Sequence, residues 1–362
     1  MPLHFKPYLL NQATYKGGKA RDEDSKQKIY KLSSNENPIG ASPLAIEALT
    51  KHAHTAFEYP EATNQEFHEA LESFYNGKVR AEQFITTNSG VANIEMVMRG
   101  FLEPGTQFIY SSPAFIAYRG FGEKMGAEAV DVPLVGEHFE LDVDGILEAI
   151  NEKTRLILIT SPNNPTGTHI PKSKIDGLIN KLPDHVVLLF DEVYYQFADA
   201  EDYVRATPYI MDGKNVVAIN SFSKAYGLAG LRVGYSYSTP EISGYLRNLR
   251  RPFMVNTLSM KAAMAALKDE AFINQTVKVV HEGREYLYEE LARLGCQFWK
   301  TQANFILIKP EMSSTDFVGK MADEKVMVRP AEGMSDPRGV RVTIGDREAN
   351  EAFIQAYMKV RD

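Results

Sequence analysis

Five short apolar runs recur along the middle of the chain, and each one stops at a cluster of polar residues. They occupy residues 84–87, 107–110, 155–160, 186–190 and 216–219. Their aliphatic and β-branched content, with polar or glycine residues at both ends, predicts buried strands. Helix-length segments with apolar residues at helical spacing lie between them, at 91–98 and 172–182. Two more helices precede the first strand. One opens at Ser42 as N-cap with Pro43 as the first helical residue and runs through 49. The other covers 64–75. A helical pattern at 258–267 and a strand at 340–344 follow late in the chain. The alternation predicts an α/β fold with an open sheet, in which ligands bind beyond the carboxyl ends of the strands.

The polar clusters at those ends carry the chemistry. The strand at 84–87 runs into Asn88-Ser89-Gly90 and a helix, an arrangement whose outward N–H groups favour an anion but which many purely structural turns share. Residues 107–110 lead to Ser111-Ser112-Pro113-Ala114-Phe115, which puts an aromatic ring just past a strand end. The next two strands finish in Ser161-Pro162-Asn163-Asn164-Pro165-Thr166-Gly167 and in Asp191-Glu192-Val193-Tyr194. After 216–219 come Ser221, Ser223, Lys224, a run of small residues and Arg232. A lysine among small and apolar neighbours has a lowered pKa and a nucleophilic amine; taken alone, it reads equally as an incidental residue of a solvated turn. An aspartate after five apolar residues is costly without a cationic partner, although a helix N-cap or a buried salt bridge would also satisfy it. A carboxylate, an amine, an amide, a tyrosine hydroxyl, an aromatic face and a phosphate cradle together suit pyridoxal phosphate.

Composition narrows the alternatives. The chain has 362 residues, 24% charged and 44% hydrophobic, with a formal net charge of −7. No basic face for nucleic acid is expected. The short run Arg247, Arg250, Arg251 is read as a solvated helix face, and the acidic stretch 199–202 as a solvated loop. The single cysteine, Cys296, allows no internal disulfide and fits a reducing, cytoplasmic setting. No signal peptide or membrane-spanning run is visible. Gly17-Gly18-Lys19 lacks P-loop spacing, and His52 and His54 face different sides of a helix, so no metal site is expected.

The joint set SPNNPTG, DEVYYQF and SFSKAYGLAGLRVG resembles the fold-type-I pyridoxal-phosphate aminotransferases over nearly the whole chain. LSSNENPIGASP, EYPEA, RRPFMVN, QANFILIK and GVRVTIGDREAN resemble the histidinol-phosphate aminotransferase branch in particular. The resemblance implies an arm over residues 1–31, a large domain over 32–255 with a mostly parallel seven-stranded sheet flanked by helices, and a small α/β domain over 256–362. It implies that Lys224 forms the Schiff base with pyridoxal 5'-phosphate, that Asp191 pairs with the ring nitrogen, and that Asn164 and Tyr194 face the ring oxygen. Phe115 would stack on the ring. The phosphate would be held by the N–H groups of Gly90 and Val91, by Ser221, Ser223 and Arg232, and by Tyr59 from the partner of a homodimer with shared sites. Arg341, with Arg329 and Asn35, would bind the substrate. Arg329 has Glu332 as an alternative partner. Val91-Ala92 departs from the family, which usually carries an acidic residue or Asn beside the phosphate turn.

The implied reaction moves an amino group between a small-molecule amino donor and a 2-oxo acid acceptor, with L-histidinol phosphate and 2-oxoglutarate expected. Alternatives left open are an aromatic or other amino-acid aminotransferase, a decarboxylase or β-lyase on the same scaffold, and a non-enzymatic cofactor-binding regulator.

Overall fold

The five predicted strands all enter one sheet. In a computed structural model, which describes residue 3 and residues 5–10, 28–331 and 338–361, strand β1 (Tyr30–Lys31) precedes seven strands of a large sheet. These are β2 (Phe84–Thr87), β3 (Gln107–Tyr110), β4 (Glu128–Asp131), β5 (Thr154–Thr160), β6 (Val187–Asp191), β7 (Val216–Ser221) and β8 (Gly234–Tyr237). Their order is β2-β8-β7-β6-β5-β3-β4. Strand β8 runs antiparallel to both of its neighbours, and every other pairing is parallel. The fold is therefore α/β with the mostly parallel seven-stranded sheet that was expected.

Side chains alternate across this sheet as the strand period of two requires. Leu188, Phe190, Val216 and Ala218 pack into one core. Val187, Leu189, Val217 and Ile219 pack into another, against Ile94 and Tyr118. Asp191, two residues beyond Leu189, thus follows the second face to the sheet edge. The parallel register sets Thr160 opposite Asp191 and Asp191 opposite Ile219. Three polar strand ends consequently meet at one edge.

The C-terminal lobe holds β9 (Gln297–Trp299), β10 (Phe305–Lys309), β11 (Val326–Met327), β12 (Arg329–Pro330) and β13 (Val340–Thr343). Strands β12-β13-β10-β9 form a four-stranded sheet, and β1 pairs in parallel with β11. Leu32, just past β1, lies in the core of this lobe. Helix Thr257–Ala266 likewise buries Met260, Ala262, Ala263 and Ala266 in the core of the large sheet. Helix Glu270–Arg293, which follows, packs Val280, Leu287 and Leu291 into the core of the C-terminal lobe. The Gly17-Gly18 pair, the charged run from 19 to 27 and Glu332 lie outside the described residues.

Two surface expectations change. Helix Pro240–Arg247 ends before Arg250, whose guanidinium donates to the carbonyls of Ala62 and Thr86. The acidic loop is anchored: Arg284 donates to both carboxylate oxygens of Asp199 at 3.1 and 2.7 Å, tying the large domain to helix Glu270–Arg293. Among the described residues no helix is long and apolar enough to cross a membrane.

Candidate active site

A cavity of about 280 Å³ opens at the carboxyl edge of the large sheet, under the C-terminal lobe. Lys224 lies three residues past the end of β7, in a turn closed by Gly227. That glycine has φ +69°, and a Cβ there would stand 1.9 Å from the Gly40 carbonyl oxygen, so only glycine lets the loop around residues 34–41 rest on the lysine turn. Asn37 fastens the same contact by donating to Ala225 O at 2.8 Å and to Thr276 Oγ1 at 3.1 Å. Lys224 Nζ donates to Ser34 O at 3.1 Å. Burial, followed by the positive charges of Arg341 and Arg232, lowers the Lys224 pKa to about 7, although Glu36 and Asp191 pull it upward.

Asp191 is 4% exposed. Burial raises its pKa to about 6, against hydrogen bonds that favour the carboxylate. Tyr118 Oη donates to Oδ2 at 2.7 Å, and Val193 N donates to Oδ1 at 3.2 Å. Thr160, brought alongside by the strand register, lies 2.6 Å from Tyr118 Oη. Phe115 stands edge-on to Tyr118, with ring centroids 5.7 Å apart.

Strand β13 reaches the opposite wall. Arg341 donates to Asn164 Oδ1 at 2.7 Å and to Ser33 O at 2.9 Å. Tyr194 accepts from Asn35 Nδ2 at 2.9 Å. Arg329 faces Arg341 in register across β12 and β13, and both line the cavity.

The remaining end is an anion cradle. Helix Gly90–Phe101 starts there, with Ser89 Oγ accepting from Ala92 N at 3.0 Å. The N–H groups of Gly90 and Val91 fall in the first turn, where no intrahelical acceptor exists. Close packing shapes the cradle: a Cβ on Gly234 would lie 2.3 Å from Gly90 N. Ser221 Oγ and Ser223 Oγ are 3.0 Å apart, and Arg232, at φ 55°, is steadied by Ala229 O at 2.8 Å. Val91 presents its backbone donor here without a polar side chain, so the departure noted in the sequence leaves the cradle intact.

The family model for aminotransferases of class I and II matches residues 27–356. The chain belongs to this family. Histidinol-phosphate aminotransferase of Moorella thermoacetica is 36% identical over 357 residues, covering 97% of this chain and 92% of that one. The enzyme of the same name from Halalkalibacterium halodurans is 34% identical over 363 residues, covering 99% and 97%. In three dimensions the chain is similar to histidinol-phosphate aminotransferase from Sinorhizobium meliloti in complex with pyridoxal-5'-phosphate, at TM-score 0.90 and 22% identity, covering 98% and 97%.

Every site residue expected of this aminotransferase from its sequence lines the cavity except Tyr59. Tyr59 is 85% exposed and packs on Phe253 with centroids 5.1 Å apart. Asn35, expected at the substrate, is 1% exposed, and its amide is engaged with Tyr194 and Thr343. The sequence reading passed over Tyr118 and Thr160. Thr160 had a detectable signal, as the last residue of an apolar run beside Asp191. Tyr118 had only its spacing of three from Phe115, which lies just ahead of helix Ala117–Lys124.

Proposed function

We propose that this aminotransferase holds pyridoxal phosphate around Lys224 and moves an amino group between L-histidinol phosphate and 2-oxoglutarate. The donor set fits the cofactor at each end: an anion cradle at Gly90 and Val91, a buried carboxylate at Asp191, and a lysine amine depressed to a pKa of about 7. When bound, pyridoxal phosphate supplies an aldehyde for an amine and a ring that draws electrons from the substrate's α-carbon. Lys224 Nζ, close to half neutral near pH 7, is the base for the α-proton. Asp191 offers a negative charge to a protonated ring nitrogen. Phe115 supplies an apolar face, and Asn164 and Tyr194 converge on the ring oxygen.

The observation that carries the substrate reading is the facing pair Arg329 and Arg341, in register on neighbouring strands and both in the cavity. Two guanidinium groups lining one cavity suit a phosphate dianion or a dicarboxylate, which each can meet with charge-assisted hydrogen bonds. A phosphorylated donor and 2-oxoglutarate each bring such a group. Glutamate formation compared across histidinol phosphate, phenylalanine, tyrosine and leucine tests the reading; histidinol phosphate is expected to give the highest kcat/KM. A faster aromatic or aliphatic donor would replace it, and acceptor-independent release of CO₂ or ammonia would point to a decarboxylase or lyase.

Arg341→Ala is expected to raise KM for donor and acceptor roughly 10- to 100-fold, the worth of a charge-assisted hydrogen bond, with cofactor absorbance retained. Steady-state kinetics with both substrates check this. In the same reading the enzyme is a cytoplasmic homodimer. The exposed Phe57, Tyr59 and Phe253 form part of the shared face, with Tyr59 reaching the partner's phosphate cradle.

A further inference from the structure

Arg250 follows helix Pro240–Arg247 and joins two stretches of chain that lie far from it in sequence. Its Nε donates to Thr86 O on β2 at 3.3 Å, and its Nη1 donates to Ala62 O. Three residues beyond Arg250, Phe253 packs on Tyr59, three residues before Ala62. Residues 59–62 and 250–253 therefore lie side by side in opposite directions, tied at both ends. Phe253 holds φ 60°, a left-handed conformation that a bulky residue keeps only where its surroundings enforce it. Glu61 fixes the first stretch further by accepting from Thr63 N at 2.9 Å and from Gln65 N at 2.7 Å, which seats it on the N-terminus of helix Gln65–Phe74. Tyr59 is nevertheless exposed. A braced platform presents a tyrosine to the outside.

We propose that Arg250 is a positioning residue that acts in trans, fixing the loop that carries Tyr59 so that this tyrosine meets the phosphate cradle of a second copy of the chain. The inference rests on the homodimer with shared sites proposed above. The two carbonyls that Arg250 holds lead to different sites. Thr86 belongs to β2, which runs into the subunit's own cradle at Gly90, and its backbone is already held by pairing with Tyr235 on β8. Residues 59–63 lie in neither helix nor strand. Arg250 thus supplies to that loop the kind of hold that the sheet supplies to Thr86, and loss of its guanidinium is felt at Tyr59. A group held in its binding position loses less conformational freedom on binding than a mobile one, so the effect appears in the partner's site.

Subunit mixing separates the two routes, with the cofactor Kd read from the visible band of lysine-linked cofactor. Arg250→Met is expected to raise Kd roughly tenfold, near the low end for a hydrogen bond to a charged group, and Tyr59→Phe at least as much. In a mixed dimer of Lys224→Ala and Arg250→Met subunits, the band arises only at Lys224 of the Arg250→Met subunit. The Tyr59 that serves that site belongs to the Lys224→Ala subunit, whose Arg250 is intact, so the site should return to the wild-type Kd. The converse dimer, wild type with the double variant Lys224→Ala/Arg250→Met, should bind as weakly as the Arg250→Met homodimer. A first dimer that stays weak, or a second that binds normally, overturns the inference, as does an unchanged Kd in Arg250→Met when Tyr59→Phe is weakened. The same mixing with Tyr59→Phe reports the shared site itself, and an unchanged Kd in Tyr59→Phe removes that reading and the inference with it. Should Arg250→Met fail to fold, Phe253→Leu removes the ring from the same platform at an exposed position and carries the same mixed-dimer expectations.

Discussion

Lys224→Ala protein is expected to lose the visible absorbance of cofactor joined to the lysine, and nearly all turnover. The amine is half-buried, hydrogen-bonded to Ser34 O at 3.1 Å, and held by a turn that Gly227 and Asn37 press against the loop around Gly40. Among the described residues no other lysine lines the cavity, so none of them replaces either the nucleophile or the base. The cradle at Gly90, Ser221, Ser223 and Arg232 remains, and the variant should still bind pyridoxal phosphate non-covalently. The same lysine sets a pH dependence. An amine with an ordinary pKa is about 0.03% neutral at pH 7, whereas one near 7 is about half neutral. Only the neutral form attacks an aldehyde. Cofactor uptake by the cofactor-free wild type should therefore quicken with rising pH and level off above about 7, followed by stopped-flow absorbance. Continued acceleration toward pH 10 would show that the lysine is not depressed.

Asp191→Asn is expected to keep the cofactor on Lys224 yet lower kcat by roughly 10²–10³, the scale for removing one preorganised electrostatic partner. The amide is close in shape to the carboxylate and can still accept from Tyr118. What disappears is the charge opposite the ring nitrogen. The two variants thus separate cleanly: Lys224→Ala loses the band of lysine-linked cofactor, and Asp191→Asn retains it with little turnover. Near-normal kcat in Asp191→Asn would mean that the carboxylate is a structural partner of Tyr118 and Thr160, the buried role that the sequence alone left open.

How much of this was legible in the chain follows from the range of the forces involved. Asp191, Lys224 and Asn164 were visible because a buried strand that ends in a polar side chain is a local contradiction, and the parallel register then brings such ends together. Tyr118 was not, since its hydroxyl reaches Asp191 only through the packing of helix Ala117–Lys124 on the sheet, 73 residues away in sequence. Asn35 was visible as part of a motif, but its hydrogen bond from Thr343, 308 residues distant, was not. The packing of two further segments was hidden for a related reason. Strand β1 is two residues long and carries no periodicity of its own, and helix Thr257–Ala266 is apolar enough to suit either core. Arg250 reads as solvated from its charged neighbours, whereas the chain brings two backbone carbonyls to it from over 160 residues away.

The central claim is that one lysine at the end of β7 meets the cofactor beside Asp191. Borohydride reduction of the holoenzyme followed by peptide mass mapping tests it most directly. The account predicts a pyridoxyl-phosphate adduct on Lys224 alone. An adduct on any other lysine, or full activity in protein whose Lys224 stays unmodified after reduction, would contradict it.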